Sequence, residues 1–218
     1  MVYNIVCLKY GTKYNHDYVN KLYNMVKRNV TVPFNFYCMT DNWSNINPDI
    51  KIKPLMIKSI EGWWHKINIF NKNFYGLTGD ILFLDLDIVI VDNIDHMLLY
   101  GGNFVTIHDW YYKKQRILKF NSSVMKVTIG KYHYIWEDFI KNNQEIIKKY
   151  PGDQDYITDM IKENYFLWPE NYCLSYKFSN CEESYPKNAK IIIFHGKPNP
   201  HELLDNKIKN SWIKEKWI

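Results

Sequence analysis

Glycine and proline are scarce in this chain, at 9 and 8 of 218 residues, and the phosphate-cradling glycine loops are missing. Neither Gly-x-Gly-x-x-Gly nor Gly-x-x-x-x-Gly-Lys-Ser/Thr occurs. Those loops let backbone amides approach a phosphate, so a Rossmann dehydrogenase and a P-loop enzyme are both disfavoured. A phosphate-bearing ligand would have to be held by metal and lysines instead. The four cysteines (Cys7, Cys38, Cys173 and Cys181) contain no Cys-x-x-Cys pair, which disfavours a zinc knuckle. Cys7 and Cys38 fall in strand-like runs and read as small core residues. Cys173 and Cys181 are candidates for a bridge, but a cytoplasmic chain would keep them reduced. No stretch approaches 18 apolar residues, so no membrane span is expected. The amino terminus enters an apolar run without a basic segment, so no signal peptide is expected and the chain reads as cytoplasmic.

What is present is an ordinary globular balance, with 46% hydrophobic and 23% charged residues. The excess of 28 Lys+Arg over 23 Asp+Glu gives a net charge of +5. That suits an anionic small ligand such as a nucleotide and falls short of the dense basic patch of a nucleic-acid binder, so no nucleic-acid partner is expected. Aromatics reach 17%, with 18 tyrosines. Such rings stack on sugars and bases and also fill cores.

Periodicity predicts strands over Tyr3 to Leu8, Asn35 to Met39, Ile50 to Leu55, Asp80 to Leu84, Asn103 to Ile107, Ser122 to Val127 and Lys190 to Phe194. It predicts helices over His16 to Arg28, Gly62 to Phe70 (with Trp63, Ile67 and Phe70 inward), Tyr134 to Tyr150 and Asp153 to Asn164. Strands alternating with helices imply one α/β domain over 1–218, with a mixed, mostly parallel central sheet. Residues 1–100 read as a nucleotide-binding half, 101–200 as a second half and 201–218 as a tail. The antiparallel element is expected just after Asp87. The tail, with Trp212 and Trp217 among lysines, reads as a short helix packed on the core, or as a peripheral membrane contact.

The most informative segment runs Ile81-Leu82-Phe83-Leu84-Asp85-Leu86-Asp87-Ile88-Val89-Ile90-Val91. Aspartates at strand ends often cap helices or make turns. Inside eight apolar residues, two carboxylates need a compensating partner, and a hard divalent cation takes oxygen ligands. Open α/β sheets gather ligands at the carboxyl ends of their strands, which fits a metal site carrying a phosphate ligand.

Asp85-Leu86-Asp87, Phe120-Asn121-Ser122-Ser123, Gly152-Asp153-Gln154-Asp155 and Phe194-His195-Gly196-Lys197-Pro198 follow one another in order, after Leu8 and Tyr14 at the first strand. This ordered set resembles the family 8 glycosyltransferases of the GT-A fold, the family of glycogenin and bacterial galactosyltransferases, over about residues 3 to 200. The resemblance implies a metal-dependent transfer of a hexosyl group, with retention, from a nucleotide sugar of UDP type to a hydroxyl on a glycan, protein or lipid-linked acceptor. It implies that 101–200 is the half for sugar and acceptor. It implies Mn²⁺, with Mg²⁺ as the alternative, held by Asp85, Asp87 and His195. It implies substrate contacts from Leu8, Lys9, Tyr14, Lys66, Leu86, Asp109, Asn121 and Lys197, with Tyr14 stacking on the base and Lys197 on the diphosphate. Asp153 and Gln154 would sit beside the reacting carbon, where a carboxylate and an amide steady a developing oxocarbenium ion. The chain departs from the family pattern in two places. His195-Gly196-Lys197-Pro198 is shorter than His-x-x-Gly-x-x-Lys-Pro, and Ser123 stands where the family has glycine. Two rival readings are a non-catalytic sugar-nucleotide or glycan-binding module of the same fold and a haloacid-dehalogenase-type phosphohydrolase. The latter is disfavoured because Ile88-Val89-Ile90 follows the aspartates.

Overall fold

Tyr3–Lys9 (β1) and Asp80–Leu84 (β4) are runs of apolar residues buried on both faces, which is the signature of central parallel strands. The structure is a computed structural model and describes residues 2–205 and 209–218. Between these strands lie Phe34–Thr40 (β2) and Lys51–Pro54 (β3); beyond them follow Ile88–Ile90 (β5), Phe104–His108 (β6), Phe120–Thr128 (β7), Phe166–Leu167 (β8), Cys173–Ser175 (β9) and Ile191–Ile193 (β10). The central sheet has seven strands in the order β3-β2-β1-β4-β7-β6-β8. Strands β3, β2, β1 and β4 run parallel, β7 is antiparallel to both β4 and β6, and β8 is parallel to β6. A second sheet, β5-β10-β9, pairs β5 antiparallel to β10. The stretch after Asp87 is therefore antiparallel as expected, but in a separate sheet; the antiparallel strand of the main sheet is β7.

Because side chains alternate along a strand, each central strand feeds two cores. Ile5 and Cys7 with Leu82 and Leu84 join one core, packed by the helix His16–Asn29 (α1), the second sheet and the helix Ser211–Lys216. Val6 with Ile81 and Phe83 joins the other, packed by the helices His133–Lys149 and Asp153–Met160 and by the Gly62–Phe70 segment. The parity that sends Phe83 to the second core also sends Asp85, at the strand's end, towards Gly62–Phe70.

That segment is a 3₁₀ helix, with three residues per turn rather than 3.6. Trp64, Ile67 and Phe70 share the core face at this spacing, so Trp63, expected inward from α-helical spacing, is instead 52% exposed. Trp63 and Lys66, also three apart, share a different face. The cysteines are all buried and free. In the tail, Trp212, Ile213 and Trp217 are buried, with the Trp217 ring 4.9 Å from that of Tyr18. The carboxyl-terminal aromatics are core, which overturns the peripheral membrane reading of the tail.

Candidate active site

A cavity of about 650 Å³ opens where the carboxyl ends of β1 and β4 meet the amino terminus of the Asp153–Met160 helix. Its size is that of a small-molecule site. Leu8, Tyr14, Lys66, Asp85, Leu86, Asp87, Asn121, Asp153, Gln154 and His195 all line it. Residues separated by up to 187 positions are thus brought to one surface.

Its floor is a buried charge cluster. The Lys66 ammonium lies 2.8 Å from each Asp85 carboxylate oxygen and donates to Ser122 Oγ at 3.2 Å. It also sits 3.9 Å from Asp153 Oδ2. Burial acts to strip the lysine of its proton, but Asp153 and then Asp85 outweigh it and hold the pKa above the ordinary value. Asp153 is 4% exposed, and its Oδ2 has no hydrogen-bond partner among the described residues. Burial pushes the Asp153 pKa up against the pull of Lys66. Asp153 is the first residue of its helix, after the cap Gly152, and lines the cavity.

Asp87 lies on the other wall. Tyr14 donates its hydroxyl to Asp87 Oδ2 at 2.9 Å and to Asn199 Oδ1 at 3.3 Å. Burial, and then the charge of Asp85, push the Asp87 pKa up to about 6, an effect that Tyr14 and Lys66 offset only in part. The Tyr14 ring itself is occupied, with Tyr18 at 4.6 Å and the Lys13 ammonium 4.6 Å from its centroid. Its phenol is held well above its ordinary pKa by burial and by Asp87. In this structure the Tyr14 hydroxyl serves Asp87 while the residue lines the cavity.

His195 lines the cavity, but its ring is stacked between Trp110 (5.4 Å, 14°) and Phe178 (5.6 Å, 17°). Its Nε2 lies 2.7 Å from Ser175 Oγ. Burial, helped by Lys177, lowers its pKa and keeps the imidazole neutral. Two carboxylates one residue apart suit a hard divalent cation. Among the described residues, no group of three or more His, Cys, Asp or Glu is arranged to hold a metal ion. The structure thus brings two oxygen donors to the site, with the imidazole on its rim and engaged elsewhere.

Three residues expected at the site lie off the cavity. Lys197 has a side chain 85% exposed and pairs with Glu202 at 3.4 Å. Lys9 is buried but donates to Gly11 O at 3.3 Å. Asp109 caps the helix Trp110–Lys114 by accepting from the backbone of Tyr111 (3.1 Å) and Tyr112 (3.3 Å). Sequence reasoning missed Ser122, which binds Lys66, and Asp155, which lines the mouth and pairs with Lys119 at 2.5 Å. The Asp155 signal was in the Gly-Asp-Gln-Asp run itself.

No family model and no curated protein matches the chain. Solved structures do match. A crystal structure of the galactosyltransferase LgtC in complex with donor and acceptor sugar analogs superposes with a TM-score of 0.68 at 13% identity, over 90% of this chain and 88% of that one. The chain has the GT-A glycosyltransferase fold. The glycosyltransferase GlyE of Streptococcus pneumoniae TIGR4 matches with a TM-score of 0.73 at 12% identity, over 98% of this chain but 60% of its own length. The bifunctional glycosyltransferase WbbM matches with 0.63 at 11%, over 91% of this chain and 46% of its own. In this GT-A frame the cavity sits at the carboxyl ends of the parallel strands, where open α/β sheets bind ligands.

Proposed function

We propose that the chain is a glycosyltransferase that moves a hexosyl group from a nucleotide sugar of UDP type to an acceptor hydroxyl. The observation that carries this reading is the convergence of Asp85, Asp87, Asn121, Asp153 and Gln154 on one cavity in a GT-A fold. A divalent cation, Mn²⁺ or Mg²⁺, bound by Asp85 and Asp87 would supply Lewis-acid neutralisation of the leaving diphosphate. Lys66, charged and fixed in the floor, orients Asp85 and adds positive potential beneath the phosphates. Asp153 Oδ2, which faces Lys66 at 3.9 Å without a hydrogen bond, and the neighbouring Gln154 offer acceptors and a donor for sugar hydroxyls. Following the family resemblance, transfer retains the anomeric configuration by a front-face route, in which the leaving phosphate oxygen takes the acceptor proton.

The test is to screen nucleotide sugars by thermal shift and then by donor hydrolysis with Mn²⁺, Mg²⁺ or chelator. Hydrolysis of one donor that depends on a divalent cation is the expected result. Stabilisation by a nucleotide sugar without any turnover would make the chain a binding module. Neither stabilisation nor turnover with any donor would sink the proposal.

A further inference from the structure

A second surface stands out beside the cavity. Residues 110–119 run Trp-Tyr-Tyr-Lys-Lys-Gln-Arg-Ile-Leu-Lys, with four cations and no carboxylate. The helix Trp110–Lys114 ends in a turn closed by Ile117 N donating to Tyr112 O at 3.1 Å. This turn leaves Tyr111 52%, Ile117 49% and Leu118 39% exposed. Phe178, 39% exposed, joins them from the facing loop, its ring 6.4 Å from that of Tyr111. Large apolar side chains gathered on one corner of a soluble domain call for a reason.

Their electrostatic setting supplies it. Lys113 is matched by Glu170 and Lys119 by Asp155, whereas the Lys114 ammonium lies 5.4 Å from the Phe178 centroid and Arg116 stands on the same turn. Lys177, next to Phe178, donates to the His195 carbonyl at 2.9 Å. Aromatic and aliphatic tips ringed by Lys and Arg are the composition of an interfacial membrane contact, in which rings enter the headgroup layer and cations meet lipid phosphates. We propose that the Tyr111–Leu118 turn with Phe178 docks the protein on an anionic lipid bilayer. The surface adjoins the cavity, because Trp110 and Phe178 are the rings that clamp His195 on its rim. Docking there would bring the mouth to the membrane surface, within reach of an acceptor carried on lipid.

The test is vesicle flotation of the full chain with phosphatidylcholine vesicles, with or without phosphatidylglycerol, in the absence of any nucleotide sugar. It therefore stands or falls apart from the transfer reaction. The expected result is enrichment on anionic vesicles that weakens with salt. Lys114→Gln with Arg116→Gln should weaken binding by about fivefold per charge, and Tyr111→Ser with Ile117→Ser and Leu118→Ser should abolish it. The altered side chains are exposed, and an unchanged melting temperature confirms folding. No enrichment of the native chain overturns the proposal, as does enrichment that both variants retain. Self-association or protein capture lost in the same variants, without vesicle binding, assigns the face to a protein partner and also overturns it.

Discussion

The two walls of the cavity solve the same electrostatic problem differently. On the central-sheet wall, Lys66 sits among Asp85, Asp153 and Ser122, and its charge is held on both sides by carboxylates. On the opposite wall, Asp87 has a phenol for a partner and a pKa pushed up to about 6, and His195 is kept neutral between aromatic rings. One wall is a finished ion cluster, while the other carries a carboxylate short of positive charge. The difference argues that on the first wall Lys66 already offsets Asp85, whereas on the second Asp87 has only a neutral phenol to offset it.

Removing Lys66 breaks the finished wall outright. Lys66→Met leaves Asp85 and Asp153 facing each other in a buried site, and removing one partner of a buried pair typically costs about 3–5 kcal/mol. For a chain of this size that lowers the melting temperature by on the order of 10 °C. Calorimetry showing a gain in stability would mean that the cluster is a cost the fold carries, and the comparison between the walls would fail.

Asp87→Asn tests the other wall through activity. Cation-dependent donor hydrolysis should fall by on the order of 100-fold or more, while the melting temperature holds or rises, since a partly uncompensated buried carboxylate is removed. If hydrolysis keeps its native rate and metal dependence, Asp87 has no part in binding the cation. Tyr14→Phe is the milder version. It takes away the phenol that donates to Asp87 and, as a change just outside the ligand shell, should weaken cation affinity by roughly 10-fold. Titration of Mn²⁺ against hydrolysis rate reads this directly, and an unchanged midpoint would reduce the Tyr14 contact to packing.

These contrasts also show what the sequence could convey. Strands with long apolar runs were legible: Asp80–Leu84 matches the expected limits, and His16–Asn29 differs from them by one residue. Long-range ladders among short strands were not. Ile191–Ile193 falls within the expected strand and Ile88–Ile90 where an antiparallel element was expected, but Cys173–Ser175 and Phe166–Leu167, three and two residues long, are too short for periodicity to separate from loop. Asp85, Asp87, Asp153 and Gln154 were recognisable from their motifs. Asp109, expected as a sugar contact, caps a five-residue helix, a role its place before Trp-Tyr-Tyr also fits. The Tyr14–Asp87 bond spans 73 residues and leaves no local trace. The inward face of Gly62–Phe70 was misplaced because apolar spacing alone does not separate three residues per turn from 3.6.

That same 3₁₀ helix provides the smallest and most specific test, on the finished wall. His65, next to Lys66, is 1% exposed, and its ring lies 4.8 Å from that of Tyr10. Burial lowers its pKa below the ordinary histidine value. The sign follows from which state takes the proton first. As pH falls below about 6.5, the unfolded chain binds it while the folded chain resists, so stability drops through the window between the ordinary and the lowered value. Above that window both states are neutral and the residue contributes no slope. His65→Phe keeps a ring against Tyr10 and removes the titration, so its stability should fall less than that of the native chain between neutral and mildly acidic pH, with near-equal stability at pH 8. Denaturant melts at several pH values would show two curves that converge at high pH and separate at low pH. Parallel curves would mean that His65 takes a proton in the fold as easily as in the unfolded chain, and that the wall behind Lys66 is wetter than its burial suggests.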